Sequence, residues 1–294
     1  MLLELAIADA YGAGREFSPP EDVAANNDGK TYVQNPVHGD LKPGRYTDDT
    51  QMTIGLAEWM LEKFPPNSVK LAEYFVQAFQ RDPRPGYAGR FYDFLMKAED
   101  GYDFMGRIEP NSRKAGGAMR ASVCGLLGSV EEVRDMAAWQ ASLTHATFDG
   151  MNAAVAAALL VFHHRDNRSY TSKFLYHGGR MPGLMTTTCG FYYDWETPWR
   201  GPVGNDGLQA VHAALTAIVE SNGTLSDILI RSVAFTGDVD TVATIAIAAA
   251  SMSKDIDHDL DDSLFRNLEG GKYGWRYLKS LDAKLMKAFP LVTK

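Results

Sequence analysis

Tyr46-Thr47-Asp48-Asp49-Thr50-Gln51-Met52 sets two adjacent carboxylates among hydroxyls at the head of an apolar run. Along that run Met52, Ile54, Leu56, Trp59, Met60 and Phe64 fall near helical spacing until Pro65-Pro66 stops it. The stretch predicts a helix whose mouth carries oxygen ligands of the kind a hard cation accepts. Thr236-Gly237-Asp238-Val239-Asp240-Thr241 has the same chemistry and opens into another helix, over 242–252. Only the fold can bring the two clusters together.

Working outward, most segments read as helix. Residues 2–12 are a mostly apolar helix broken at Gly12-Ala13-Gly14, which leaves Glu16 on a loop past a helix end. Residues 24–45 hold turn chemistry and little periodicity, and this long irregular segment delivers the chain to Thr47. Helices follow over 68–80 and 88–99, then a loop over 101–114 that feeds Ala115-Gly116-Gly117-Ala118-Met119-Arg120. Glycines there suit either a close ligand approach, with helix-start amides facing an anion, or close helix packing.

Ala-rich helices over 131–142 and 152–164 flank Thr144-His145-Ala146-Thr147, with His145 read as a satisfied structural histidine. His163-His164 fit a solvated helix C-terminus. Residues 178–205 are expected to be the least helical part. Their aromatics, Phe191 to Trp199, read as core in preference to a lid over a pocket. Helices return over 208–221, 225–232, 242–252 and 275–287. Strand signals are scarce, so the expected fold is all-α, a single multi-helix domain over 1–294 with short helix connections and a few long loops.

Composition bounds the function. A chain of 294 residues with 45% hydrophobic content has ample core. A net charge of -8 argues against nucleic acid, whose phosphates call for Lys and Arg. No stretch reaches the ~18 apolar residues that would span a bilayer, so no membrane partner is expected. The N-terminus has no basic leader, and Cys124 and Cys189 read as reduced structural thiols, both pointing to a cytoplasmic protein. A monomer is the default expectation.

Asp48, Asp49, Asp238 and Asp240 with the hydroxyls of Thr47 and Thr241 form an all-oxygen set suited to Mg²⁺ or Mn²⁺, whereas zinc recruits His or Cys. The alternative is a pair of N-cap devices, since Asp and Thr are favoured at helix starts. A cap explains either cluster alone; matching chemistry in both brings the metal reading level with it. The acidic run from Asp255 to Asp262 begins like a calcium loop, but Leu260 and Arg266 replace its glycine and bidentate glutamate, so it reads as a solvated loop.

Taken in order, five motifs resemble those of the ADP-ribosylglycohydrolases, a family that includes the dinitrogenase-reductase-activating glycohydrolase and the ADP-ribosyl-acceptor hydrolases. They are Ala8-Asp9-Ala10-Tyr11-Gly12 with Glu16-Phe17, Tyr46-Thr47-Asp48-Asp49-Thr50, Gly116-Gly117-Ala118-Met119-Arg120, Leu143-Thr144-His145, and Gly237-Asp238-Val239-Asp240-Thr241. Ala8 and Val239 depart from the family pattern without removing an expected ligand, and the Phe191–Trp199 loop matches nothing in it.

The resemblance implies an all-α fold with two Mg²⁺ (or Mn²⁺) ions held by Thr47, Asp48, Asp49, Asp238, Asp240 and Thr241. It implies Asp49 or Glu16 as the catalytic carboxylate. Gly116, Gly117, Ala118 and Met119, with His145, Thr147, Gly150 and Met151, are expected to line an ADP-ribose site. The implied substrate is an ADP-ribosylated protein, with arginine favoured as acceptor and ADP-ribose as product. The alternatives are an O-linked acceptor such as serine, a free ADP-ribose derivative, or a non-catalytic binding protein.

Overall fold

α1 (Leu2–Ala13) is buried along ten of its twelve residues, so it runs through the core with no solvent face. It packs lengthwise on α12 (Val239–Ala250), a helix of small and β-branched residues that is buried throughout. The computed structural model describes residues 1–63, 65–165 and 180–290. Among these residues there is no strand, only isolated bridges.

The other helices are α2 (Pro20–Asn26), α3 (Asp48–Leu61), α4 (Ser68–Gln80), α5 (Gly89–Lys97), α6 (Gly101–Arg107), α7 (Val130–His145), α8 (Phe148–Arg165), α9 (Arg180–Thr188), α10 (Gly207–Val219), α11 (Leu225–Ala234), α13 (Asp262–Asn267) and α14 (Trp275–Ala288). Two short 3-10 turns, Ala115–Gly117 and Ala121–Leu126, link α6 to α7. The expected helical class is therefore the observed one, and one apolar core runs from Met1 to Leu285.

Several expectations are corrected. α1 does end within the Gly12-Ala13-Gly14 stretch, at Ala13 with Gly14 as its C-cap, but Gly12 has a second role: a Cβ there would stand 2.4 Å from the Asp240 Cα, so the glycine also lets α1 meet the start of α12. Residues 101–107 form a helix where a loop was expected, because Asp100 caps it by accepting from the Asp103 amide at 2.8 Å and Phe104 is fully buried. α2 was also unforeseen; Pro20 sits at its start, where a missing N–H costs nothing.

α9 forms within the stretch read as least helical. Its Pro182 falls in the first turn, Met181 and Met185 are buried one turn apart, and the Thr186 and Thr188 hydroxyls bond back to the carbonyls four residues earlier, at 3.0 and 2.6 Å. His163 and His164 are not solvated either. His164 is fully buried and its Nδ1 lies 2.6 Å from the Leu160 carbonyl; His163 meets Thr188 at 3.0 Å, and burial pushes both imidazoles down to about 4. Phe64 and Gly178-Gly179 lie outside the described residues.

Other readings hold. Cys124 and Cys189 are free and buried, and burial pushes both thiols up to about 12. The aromatic loop is core-directed: Trp195 is buried against Tyr193, with ring centroids 4.4 Å apart, and against His212 of α10, while Tyr192 stays exposed.

The approach to α3 is held by a clamp. Arg84, buried, lies 3.5 Å over the Tyr46 ring, donates to the Tyr46 carbonyl at 2.9 Å, and pairs with Asp82 and Glu269. Glu269 in turn accepts from the Tyr46 amide at 3.2 Å, and its own amide donates to Gly44 at 2.9 Å. A polar network of this completeness fixes the backbone that enters the acidic helix mouth.

Candidate metal centre

Two helix N-termini and one loop meet. The first is α3, with Thr47 as its N-cap and Asp48 and Asp49 in its first turn. The second is α12, with Asp238 as N-cap and Asp240 in the first turn, aimed by two consecutive left-handed residues, Thr236 at φ 65° and Gly237 at φ 89°. A Cβ on Gly237 would fall 2.0 Å from the Val203 carbonyl, so this turn admits only glycine. The third is the loop after α1, where the Phe17 amide donates to the Gly237 carbonyl at 2.9 Å and holds Glu16 beside the second acidic turn.

The result is one cluster. Oxygens of Glu16, Asp238 and Asp240 lie within 4.8 Å of one another. The negative charges of Asp49, Asp238 and Glu16 all act on Asp240, and the Thr241 amide donates to the Asp240 Oδ1 at 3.0 Å. Asp48 lies against Gly86, where a Cβ would come within 2.4 Å of its Oδ1.

Asp9 is the residue the sequence reading did not place among the functional ones. It is fully buried, and its carboxylate accepts from the Thr47 amide at 3.0 Å and hydroxyl at 2.8 Å, and from the Thr50 amide at 3.0 Å and hydroxyl at 2.5 Å. The Thr47 hydroxyl is thus committed as a donor to Asp9 and has its other lone-pair side toward Asp49, 3.5 Å away. An acid inside an otherwise apolar helix was the available signal.

The electrostatics test the cation reading. Glu16 is pushed up to about 8 by burial and then by Asp238 and Asp48; Asp48 is pushed up to about 8 by burial and then by Asp9. Burial and neighbouring acids hold Asp49 and Asp240 well above the carboxylate range, and burial raises Asp238 and Asp9. Lys114 is the positive charge that acts on Asp238.

The cap reading leaves most of these acids unexplained. Asp238 makes no side-chain cap bond, the α3 cap is the Thr47 oxygen, and the Asp49 Oδ1 is buried without any hydrogen-bond partner. A crowd of desolvated carboxylates with an orphaned oxygen fits a hard divalent cation.

The residues expected to line ADP-ribose form a second wall. Gly116 and Gly117 seat the His145 ring: a Cβ on Gly116 would lie 3.1 Å from its Cε1, and one on Gly117 3.3 Å from its Cγ. Ala118 and Met119 are buried, and the Met119 carbonyl stands 3.5 Å from the Thr53 hydroxyl of α3, one turn after Asp49. Thr147 bonds to the Ser112 carbonyl at 2.9 Å and accepts from Gly150 at 3.1 Å; Met151 is half-buried in the next turn. His145 is buried as expected, and burial followed by the Arg120 charge pushes it down to about 3.

Helix mouths that converge on a buried carboxylate cluster, on an all-helical scaffold, define a candidate hydrolytic centre. The ADP-ribosylglycohydrolase family matches the chain over residues 1–253, and the chain belongs to that family. It is 38% identical to mouse ADP-ribosylhydrolase ARH3 over 125 residues, 40% of this chain and 34% of the mouse protein. With human ADP-ribosylhydrolase ARH3 the identity is 32% over 139 residues, 44% of this chain and 38% of the human protein. The matches thus span little more than a third of these relatives. A solved structure described as an ADP-ribosylglycohydrolase-related protein complex superposes with a TM-score of 0.68 over 98% of this chain and 95% of its own, at 21% identity, which shows a shared fold.

Proposed function

We propose that this chain is a metal-dependent hydrolase that releases ADP-ribose from a modified protein side chain. The observation that carries the reading is the cluster of Glu16, Asp238 and Asp240, with the charges of Asp48 and Asp49 acting on it and one Asp49 oxygen buried and free of hydrogen bonds. Thr47, Asp48, Asp49, Asp238, Asp240 and Thr241 would hold Mg²⁺, with Mn²⁺ as a substitute, as two ions. Divalent ions bound there would supply charge stabilisation and a more acidic bound water.

The chain's own groups have distinct tasks in this reading. Asp9 keeps Thr47 and Thr50 in place. Asp49 is the carboxylate positioned to accept a proton from an attacking water, and Glu16, half-buried at the mouth, is positioned to exchange one with the departing acceptor. The wall from Gly116 to Met119, with His145, Thr147, Gly150 and Met151, would receive the ADP-ribosyl group.

For the acceptor, the oxygen-linked alternative is preferred to the arginine favoured by the sequence. An alkoxide leaves poorly without a proton, and the half-buried Glu16 carboxyl, which burial keeps protonated up to a pH of about 8, serves that need. None of the relatives reported above is named for arginine. The test is release of free ADP-ribose from serine- and arginine-ADP-ribosylated proteins with Mg²⁺, with chelator, and with Asp240→Asn. Release from the serine substrate that chelator and substitution both abolish is expected. Release from arginine alone overturns the acceptor, and release unaffected by chelator overturns the metal.

A further inference from the structure

Behind the second wall a chain of hydrogen bonds has only one self-consistent direction. Arg120 is buried beneath Phe75, its guanidinium 4.7 Å from the ring, and can only donate. Its Nε donates to the Gln140 Oε1 at 2.7 Å, which leaves the Gln140 amide nitrogen to donate to the Gly117 carbonyl at 3.0 Å. One terminal nitrogen donates to the Thr144 hydroxyl at 2.8 Å. That hydroxyl is itself buried, and its remaining partner is the His145 Nδ1 at 2.7 Å.

A buried hydroxyl that accepts from arginine keeps one proton to give, and Nδ1 is the acceptor within reach. Nδ1 is then bare, and the ring proton sits on Nε2. This nitrogen makes no hydrogen bond among the described residues and lies over Gly116, whose added Cβ would stand 3.3 Å away. A ring in the other tautomer would make the Thr144 oxygen accept twice, leaving its own buried proton without an acceptor, and would leave Nε2 without a proton to offer.

We infer that Arg120 and Thr144 are positioning residues that lock His145 as a neutral Nε2–H donor toward an acceptor oxygen of the ADP-ribosyl group. Neutrality follows from the same surroundings, since burial and the Arg120 charge both disfavour the imidazolium. Arg120 also fixes the glycine strip through Gln140, so one buried cation sets both the donor and the backbone beneath it. The ligand half of this inference rests on the proposed function; the tautomer half does not.

The experiment is two-bond nitrogen–proton NMR on protein labelled at histidine, with the His145 signals assigned by their loss in His145→Gln. The native protein is expected to show His145 as the Nε2–H tautomer at neutral pH and still uncharged at pH 5. Thr144→Val should convert it to a mixture or to Nδ1–H, and Thr144→Ser should restore the native form. In calorimetry with ADP-ribose, Thr144→Val should weaken binding about tenfold, the loss of one well-placed donor, and Thr144→Ser should bind as the native protein does.

A native Nδ1–H tautomer overturns the lock. The expected tautomer change in Thr144→Val without any change in ADP-ribose affinity overturns the ligand role. A native protein that shows the expected tautomer but binds no ADP-ribose overturns the ligand role together with the proposed function, and leaves the lock standing.

Discussion

Asp9 shows how much a single carboxylate organises. It receives two amides and two hydroxyls from Thr47 and Thr50, and so decides which way the first turn of α3 faces before any ligand is considered. Outer partners of this kind set the affinity of the ligands they hold. Asp9→Asn would turn one acceptor oxygen into a donor facing other donors, and its Mg²⁺ affinity is expected to fall by about tenfold or more while the fold persists. Native affinity in calorimetry would contradict that role. The local signal was only an acid inside an otherwise apolar helix; its meaning lies in partners about forty positions along the chain.

At the scale of elements, the acidic motifs were legible because each sits at the head of an apolar helix, a pattern confined to a few consecutive residues. What they touch was not. Gly12 reads locally only as part of a helix end, yet its missing side chain is also what allows α1 to lie against Asp240. His163 and His164 read as a polar helix end, yet α8 is enclosed over its last turn. In each case tertiary packing overrides local preference, and packing leaves no periodic trace in one sequence.

The segment ahead of α3 shows the same limit. Glu269 lies beyond the span matched to the family, residues 1–253, and still grips Tyr46 and Arg84. Glu269→Ala would remove one of the two carboxylates on the buried Arg84 guanidinium, leaving Asp82, and is expected to cost about 2 kcal/mol of stability in urea unfolding. A loss near zero would show that the clamp is dispensable.

For the whole molecule the concentrated acidity has a thermodynamic consequence. Glu16 and Asp48, pushed up to about 8 from ordinary values of 4.5 and 3.8, bind protons in the folded chain that the unfolded chain has already released. Where the folded state binds more protons, stability falls as pH rises, and the loss is complete once pH passes the folded values. Below the ordinary histidine value of 6.5, buried His145, pushed down to about 3, and His163 and His164, down to about 4, act in the opposite sense. The carboxyl effect is therefore read between pH about 6.5 and 8.5. In that window the melting temperature of chelator-treated protein should fall with rising pH, and saturating Mg²⁺ should flatten the slope. A melting temperature that rises through the same window without metal would contradict the charge accounting.

The central claim is that the acids gathered by α3, α12 and the Glu16 loop form a divalent-cation site. Its most direct test is a calorimetric titration of chelator-treated protein with Mg²⁺ near pH 7, in two buffers that differ in ionisation enthalpy. Saturable binding with net proton release is predicted, since carboxyls raised by burial must give up protons to take a cation. Asp49→Asn should abolish both. No binding, or binding that Asp49→Asn leaves unchanged, would contradict the account.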